Sequence, residues 1–268
     1  MSTADIVVVG AGAAGLMAAT VAAESGQRVL LLEKSRKPGL KILISGGGRC
    51  NLTTTLADRA LEAEYGTRRG RWLRHALRSF QPTALRELIE SEGVALQEED
   101  LDKIFPRSGN AKDVLDALLR RAQRVGVVLR TEAAVEGVER DGFRFALKLA
   151  GGEVVGASRL ILATGGKSYP KTGATGDGYR FVQALGHTVT PTVPALAPLF
   201  IEEPWLNELQ GIVVDVPIRT LDLAGRVLER RHRPVLFTHK GLSGPAPMDL
   251  AGSVEEQRLR GVEATTVE

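Results

Sequence analysis

Ile6-Val7-Val8-Val9-Gly10-Ala11-Gly12-Ala13-Ala14-Gly15 is the stretch from which the rest of the chain is read. Four consecutive apolar β-formers suit a strand buried on both faces of a parallel sheet. Three glycines in the pattern Gly-x-Gly-x-x-Gly follow at once, and Leu16 to Ser25 is Ala-rich and helical, with Gly26 placed to end it. Arg28 to Leu32 is a second apolar strand that closes on Glu33. In this order each part has a use in holding a dinucleotide. Gly10 permits a tight turn, Gly12 lets the backbone approach a pyrophosphate, and Gly15 allows close helix–strand packing. The helix N-terminus turns N–H groups and a positive dipole end toward phosphate. Glu33, roughly 20 residues on, suits a ribose 2′-OH and disfavours a 2′-phosphate. Ile6 to Ala23 is also uncharged and long enough to suggest a membrane span or signal peptide. Asp5 in front of it, no basic residue before it, and the internal glycines argue against both.

The next segment separates FAD from NAD. Regular strand–helix alternation gives way to a basic, glycine-rich loop: Lys34 to Gly39, then Lys41, then Ser45-Gly46-Gly47-Gly48-Arg49-Cys50-Asn51. Successive glycines can form a nest of backbone N–H groups that binds anions, and Lys41 and Arg49 add positive charge. A second phosphate-friendly loop so near the first predicts one long cofactor, FAD, enclosed from both sides.

Composition sets outer limits. The chain has 268 residues, 43% hydrophobic and 25% charged, which excludes disordered, collagen-like and coiled-coil classes. Lys+Arg 35 against Asp+Glu 32 gives a net charge of +3, too balanced for a dedicated nucleic-acid binder. The 1 cysteine excludes an intrachain disulfide and makes a reducing, cytoplasmic setting the default. The expected partners are a small-molecule substrate, with no nucleic acid and no membrane.

Further along, Gly70–Ser79 and Thr83–Glu92 are amphipathic helices, the first made basic by the nearby Arg68, Arg69, Arg71, Arg74 and Arg78. A solvated face is the favoured reading of that helix over RNA binding, because little aromatic interleaving accompanies the arginines. Val94–Gln97 and Lys103–Pro106 are short strands, Ala111–Val125 a helix, and Val127–Arg130 a parallel-type strand. Ala133–Glu139, Phe143–Leu149 and Glu153–Gly156 form a β-meander with turns at Asp141-Gly142 and Gly151-Gly152. A separate buried strand, Leu160–Leu162, runs into Ala163-Thr164-Gly165-Gly166. Ligand atoms lie at the carboxyl ends of strands in a doubly wound sheet, so these amides are expected at the cofactor. Thr172 to Gly178 is another Gly-rich loop, opening a helix from Tyr179 to Leu185. From about Val189, prolines interrupt the chain, and the strands Ile212–Val216, Ile218–Leu221 and Val235–Thr238 come with little helix.

Three strings resemble the BaiN-like flavoproteins, the group that also includes the bacterial aminoacetone oxidases. They are Ile44 to Asn51, Ala163 to Gly178 (with Lys167-Ser168-Tyr169-Pro170 inside it), and Phe237 to Pro245; Phe105-Pro106 followed by Ala111 also fits. The resemblance covers about Ile6 to Pro247. It implies an α/β fold: a Rossmann-type FAD-binding domain with a β-meander over 1–190, and the incomplete start of a β-rich inserted domain over 191–268. Such proteins continue further and return to the FAD domain. On that basis the sheet is expected to lack a strand, leaving Val8, Leu31, Ile161 and Leu162 near a surface, and a non-catalytic FAD- or ADP-binding remnant is the alternative to an active enzyme. The tail from Ser253 to Arg260 does not resemble the family's continuation.

The candidate cofactor-binding set is Gly10, Gly12, Ala13, Ala14, Gly15, Glu33, Lys34, Lys41, Ser45, Gly46, Gly47, Gly48, Arg49, Cys50, Asn51, Val135, Ala163, Thr164, Gly165, Gly166, Thr175, Gly176 and Asp177. No catalytic residue is assigned. A flavin asks the protein chiefly for binding, orientation and electrostatic tuning. The scattered His75, His187, His232 and His239 make a zinc site improbable; His239 is best read as a turn histidine and Cys50 as a packing residue. Lys167 and Tyr169 either touch flavin or substrate or shape their loop. With a single Rossmann fingerprint, NAD(P)H as donor would have to dock transiently over the flavin.

Overall fold

Val7 and Val8 have no exposed surface, because the strand they sit in is flanked on both sides and covered on both faces. The computed structural model describes residues 3–262 and 265–268 and divides into two compact units, Met1–Thr188 and Val189–Glu268. The first unit begins β1 (Thr3–Val9), α1 (Ala13–Glu24), β2 (Val29–Leu32) and α2 (Leu40–Ile44). It continues through β3 (Thr53–Thr54), α3 (Asp58–Glu64), α4 (Gly66–Ser79), α5 (Pro82–Ser91), β4 (Leu96–Glu99), β5 (Lys103–Pro106) and α6 (Ala111–Arg124). It closes with β6 (Val128–Arg130), the meander β7 (Val135–Asp141), β8 (Arg144–Leu149) and β9 (Val154–Leu162), and α7 (Asp177–Ala184).

The main sheet runs β6-β2-β1-β9-β8-β7, parallel from β6 to β9 and antiparallel through the meander. Alternation along β1 divides the core. Ile6 and Val8 pack with Leu16 and Ala19 of α1 and Val114 and Leu118 of α6. Val7 and Val9 pack with Leu147, Leu149 and Val155 of the meander and Phe181 of α7. This is a Rossmann-like α/β fold with additional β structure, as the sequence predicts. A separate small sheet, β3-β5-β4, carries the chain between α2 and α6.

Three expectations for this unit change. Val8 and Leu31 are 0% exposed and Ile161 and Leu162 are half-buried, since β1 holds β2 in register on one side and β9 on the other. The exposed edge falls on β6 instead, where Val128, Leu129 and Arg130 are all exposed. The two expected strands, Glu153–Gly156 and Leu160–Leu162, merge into β9: Val154 to Ala157 pair antiparallel with β8, and Gly156 to Leu162 pair parallel with β1. Gly156 closes the first of the two expected strands, but it is held in register with both β1 and β8, so the extended backbone runs through it. The basic loop after Glu33 contains α2, which starts at Gly39 in a left-handed conformation and buries Ile42.

The second unit comprises β10 (Leu199–Phe200), β11 (Val213–Leu221), β12 (Val227–Thr238), β13 (Gly241–Ser243), α8 (Pro245–Leu259) and β14 (Thr266–Val267). Its sheet runs β10-β13-β12-β11-β14, entirely antiparallel. Ile212–Val216 and Ile218–Leu221 merge into β11 through Pro217. Proline is tolerated there because β14 pairs only with Thr220 and Leu221, leaving β11 an edge at Pro217. The expectation of little helix is corrected: α8 takes in most of the charged tail and buries Ala246, Leu250 and Ala251 against Ile218, Val235 and Leu242. Among the described residues, no helix is long and apolar enough to cross a membrane, and no group of His, Cys, Asp and Glu could hold a metal ion.

Candidate cofactor site

The three glycines of the first motif are required for three different reasons. Gly10 adopts φ +102°, and a Cβ there would lie 2.5 Å from the Ala163 carbonyl oxygen. A Cβ on Gly15 would lie 1.7 Å from the Gly10 carbonyl oxygen, so α1 can approach β1 only without a side chain. Gly12 has an ordinary φ of −82°, and a Cβ there would meet nothing within 4 Å. Neither backbone strain nor protein packing asks for glycine at position 12; the space beside it does. That space is part of a cavity of about 610 Å³, within the usual range of small-molecule sites. The α1 N-terminus opens into it at Gly12, Ala13 and Ala14, with no side chain capping the helix.

Glu33 enters the same cavity and is 9% exposed. Its Oε2 accepts a hydrogen bond from the Ala11 amide at 2.8 Å and its Oε1 one from the Ser35 amide at 2.8 Å. Lys34, also on the wall, donates from Nζ to Asp177 Oδ2 and to Thr175 Oγ1, both at 2.7 Å. This ties the end of β2 to the start of α7, and Asp177 lines the cavity in turn. Burial alone would raise the Asp177 carboxyl, but Lys34 and Thr175 more than offset it and hold it below its ordinary value. Lys41 donates to the Ser168 carbonyl oxygen at 2.9 Å. Two lysines thus brace the loop that follows β9.

The predicted residues divide plainly. Gly10, Gly12, Ala13, Ala14, Glu33, Lys34 and Lys41 line the cavity, as do Ser45, Cys50 and Asn51. So do Val135 of β7, Ala163, Thr164 and Gly165 after β9, and Asp177. Gly15, Gly46, Gly47, Gly48, Arg49, Gly166, Thr175 and Gly176 are not on its wall. The glycine run expected as a nest lies off this wall. Gly46, Gly47 and Gly48 take φ of +55°, +69° and +87° and curl into a 3-10 turn closed by the Cys50 amide on the Ser45 carbonyl at 2.9 Å. A Cβ at Gly46 would sit 2.7 Å from the Asn51 nitrogen. The run shapes the turn that delivers Cys50 and Asn51. Arg49 also lies off the wall and is engaged within the chain. Its Nη1 donates to both Glu99 carboxylate oxygens at 2.9 Å, and its guanidinium lies 4.2 Å from the Phe105 ring centroid. An acid and a ring outside the glycine loop claim the side chain that was expected at a phosphate. Cys50 is buried, which pushes its thiol up despite the Ser45 hydroxyl.

Sequence reasoning missed a largely aliphatic part of the wall, including Met17, Leu85, Ile89 and Leu118. Apolar residues on helices carry no signal that tells a cavity wall from a core, and these came with none.

Residues 4–267 match the family described as HI0933-like protein Rossmann domain. The chain belongs to the HI0933-like family. FAD is the cofactor of this family's Rossmann-type fold. Among curated relatives, this HI0933-like chain is 35% identical over 252 residues to the ribosomal RNA dihydrouridine synthase of Escherichia coli (strain K12), covering 94% of itself and 61% of that protein. It is 31% identical over 258 residues to the 3-dehydro-bile acid delta(4,6)-reductase of Clostridium scindens, covering 96% of itself and 62% of that protein. The chain therefore spans less than two thirds of the length of the curated relatives it matches. The solved 3-ketosteroid-delta4-(5alpha)-dehydrogenase from Rhodococcus jostii RHA1 shares the fold, with a TM-score of 0.53, 17% identity, and coverage of 84% of this chain and 67% of that one. The motif resemblance thus holds at the level of the HI0933-like family.

Proposed function

We propose that this chain is the FAD-binding part of an FAD-dependent oxidoreductase that acts on a small organic substrate, with NAD(P)H as the electron donor. The observation that carries the reading is Gly12: its Cβ position opens onto an uncapped helix N-terminus, beside an acid held within the same cavity. Gly10, Gly12, Ala13 and Ala14 present backbone to the pyrophosphate, and Glu33 accepts from the adenosine ribose. Lys34 and Asp177 hold the loop of Ala163, Thr164 and Gly165 along the remainder of the cofactor, while Lys41, Ser45, Cys50 and Asn51 border it from the opposite loop. FAD, when bound, supplies hydride transfer. The relatives' names differ in substrate, ribosomal RNA in one and a bile acid in the other, so they support the chemistry more than any one acceptor. Within the family, the three motif strings support placing this chain with the BaiN-like flavoproteins.

The experiment is purification followed by a flavin spectrum and anaerobic titration with NADH and NADPH. The reading expects FAD recovered with the protein and bleaching of its visible band by one of the two nicotinamides. Protein that neither retains nor rebinds FAD overturns it.

A further inference from the structure

We propose that α4 lies on an anionic lipid surface, apolar row down, without crossing it. Trp72, Leu73, Ala76 and Leu77 recur at helical spacing, and Phe80 continues the row at the C-terminal end. Arg71, Arg74 and Arg78 form the opposite row. Arg68 and Arg69 also belong to α4, although their side chains lie outside the described residues, and the helix contains no acid. A helix of a globular protein ordinarily turns its apolar row to the core. α4 is fixed the other way round. It meets α3 at Gly70, where a Cβ would lie 2.3 Å from the Glu62 carbonyl oxygen. Beside that contact the Glu62 carboxylate, 8% exposed, accepts from Arg74 Nε and Arg78 Nε, both at 2.9 Å. The arginine row is thus tied down to α3 and the apolar row faces out. Trp72 is 85% exposed, Leu73 and Ala76 are exposed, and Leu77 is half-buried. Phe80, partly exposed, also lines the cofactor cavity, so the row ends at the cavity's edge.

Charge decides what covers this row. One carboxylate against the two arginines it holds leaves net positive charge, and the exposed Arg71 adds to it. An apolar row backed by an acid-free cationic row is the composition of helices that settle among anionic headgroups. The apolar side chains reach the acyl boundary while the guanidinium groups are drawn to the lipid phosphates. The arginine row stands about one helix diameter, roughly 10 Å, from the lipid, which is close to the screening length at about 0.1 M salt. The attraction is therefore felt at low salt and fades as salt rises. An indole, apolar in its body and polar at its N–H, suits the headgroup layer. A second copy seated on the same row would bring two acid-free helices together, which like charge opposes. RNA would use the arginines and leave Trp72, Leu73 and Ala76 unburied as a row. A lipid surface satisfies both rows at once and places the Phe80 edge of the cavity against it.

The test is co-sedimentation of the full chain with vesicles of phosphatidylcholine alone and of phosphatidylcholine with about one third phosphatidylglycerol, across a NaCl series. The chain has 2 tryptophans, so Trp205→Phe leaves Trp72 as the fluorescent reporter. The expected result is partition onto the anionic vesicles that weakens with salt, with a blue shift of Trp72 emission and its quenching by brominated acyl chains. Arg71→Gln, which leaves the Glu62 contacts intact, should weaken partition about fivefold. Trp72→Ala with Leu73→Ala should weaken it about tenfold or more, and Trp72→Phe should retain most of it. Circular dichroism and FAD content of the same samples exclude unfolding and keep this result separate from the cofactor reading. No partition at low salt, whether or not an RNA hairpin binds in its place, would overturn the proposal. So would equal partition onto phosphatidylcholine alone, an unshifted Trp72 emission on the vesicles, or unchanged partition of the double variant. Self-association that the double variant abolishes would assign the row to a second copy and overturn it too.

Discussion

Glu33 Oε2 accepts the Ala11 amide at 2.8 Å, so the acid at the end of β2 holds the glycine turn at the end of β1. The sequence assigns this carboxylate to a ribose. The structure gives it a second duty, bracing the turn against which the ribose would lie. A carboxylate offers roughly four acceptor positions, so the Ala11 and Ser35 amides leave capacity for a sugar hydroxyl.

Glu33→Ala is therefore expected to act twice. Losing an acceptor for two amides should lower stability by about 1–3 kcal/mol, and FAD affinity should fall with it. Glu33→Gln, which keeps one acceptor oxygen, should lose less of both. Urea unfolding and FAD titration of the two variants check this; equal stability of Glu33→Ala and wild type would remove the bracing role.

Gly12 and Gly15 should part company on substitution. Gly12→Val meets open space, so the thermal midpoint should stay near wild type while FAD binding is lost. Gly15→Ala forces a methyl against the Gly10 carbonyl and should cost about 1–3 kcal/mol of stability. Thermal unfolding alongside flavin absorbance tests both, and normal FAD affinity in Gly12→Val would sink the site assignment.

Arg49→Gln should leave FAD affinity within about fivefold of wild type, because its guanidinium is engaged by Glu99 and Phe105. A small loss of stability is expected in its place. A large, salt-dependent fall in FAD affinity would return Arg49 to the cofactor.

The Lys34–Asp177 pair should respond to acid in one direction. The folded carboxyl titrates below its ordinary value of 3.8, so its contribution is present above that value and disappears as pH falls through the lowered one. The stability gap between wild type and Asp177→Asn, at most about 1 kcal/mol, should be constant from neutral pH down to about 5 and vanish well below 4. A gap that survives full protonation would mean the pair is not its source.

Cys50 should react with Ellman's reagent at least about tenfold more slowly than a free thiol at mildly alkaline pH, since burial raises its pKa and blocks access. Denaturation should restore the ordinary rate. Fast labelling of the native chain would contradict the buried placement.

What the sequence determined by itself was local. The β-branched run, the glycine spacing and the acid after the second strand specify strand, turn, helix and strand within a short span, because hydrophobic periodicity and backbone sterics act between near neighbours. The meander turns and the extent of α6 were legible for the same reason. The fate of each long polar side chain was decided only in three dimensions. Arg49 is separated by 50 residues from the Glu99 that claims it, and Lys34 by 143 from the Asp177 it holds. Whether such a cation meets a phosphate or a carboxylate depends on which chain segment the fold brings beside it, and its own neighbours in sequence carry no record of that. The same holds for α8, whose polar tail gives little helical signal by itself and whose apolar residues find their partners on β11, β12 and β13.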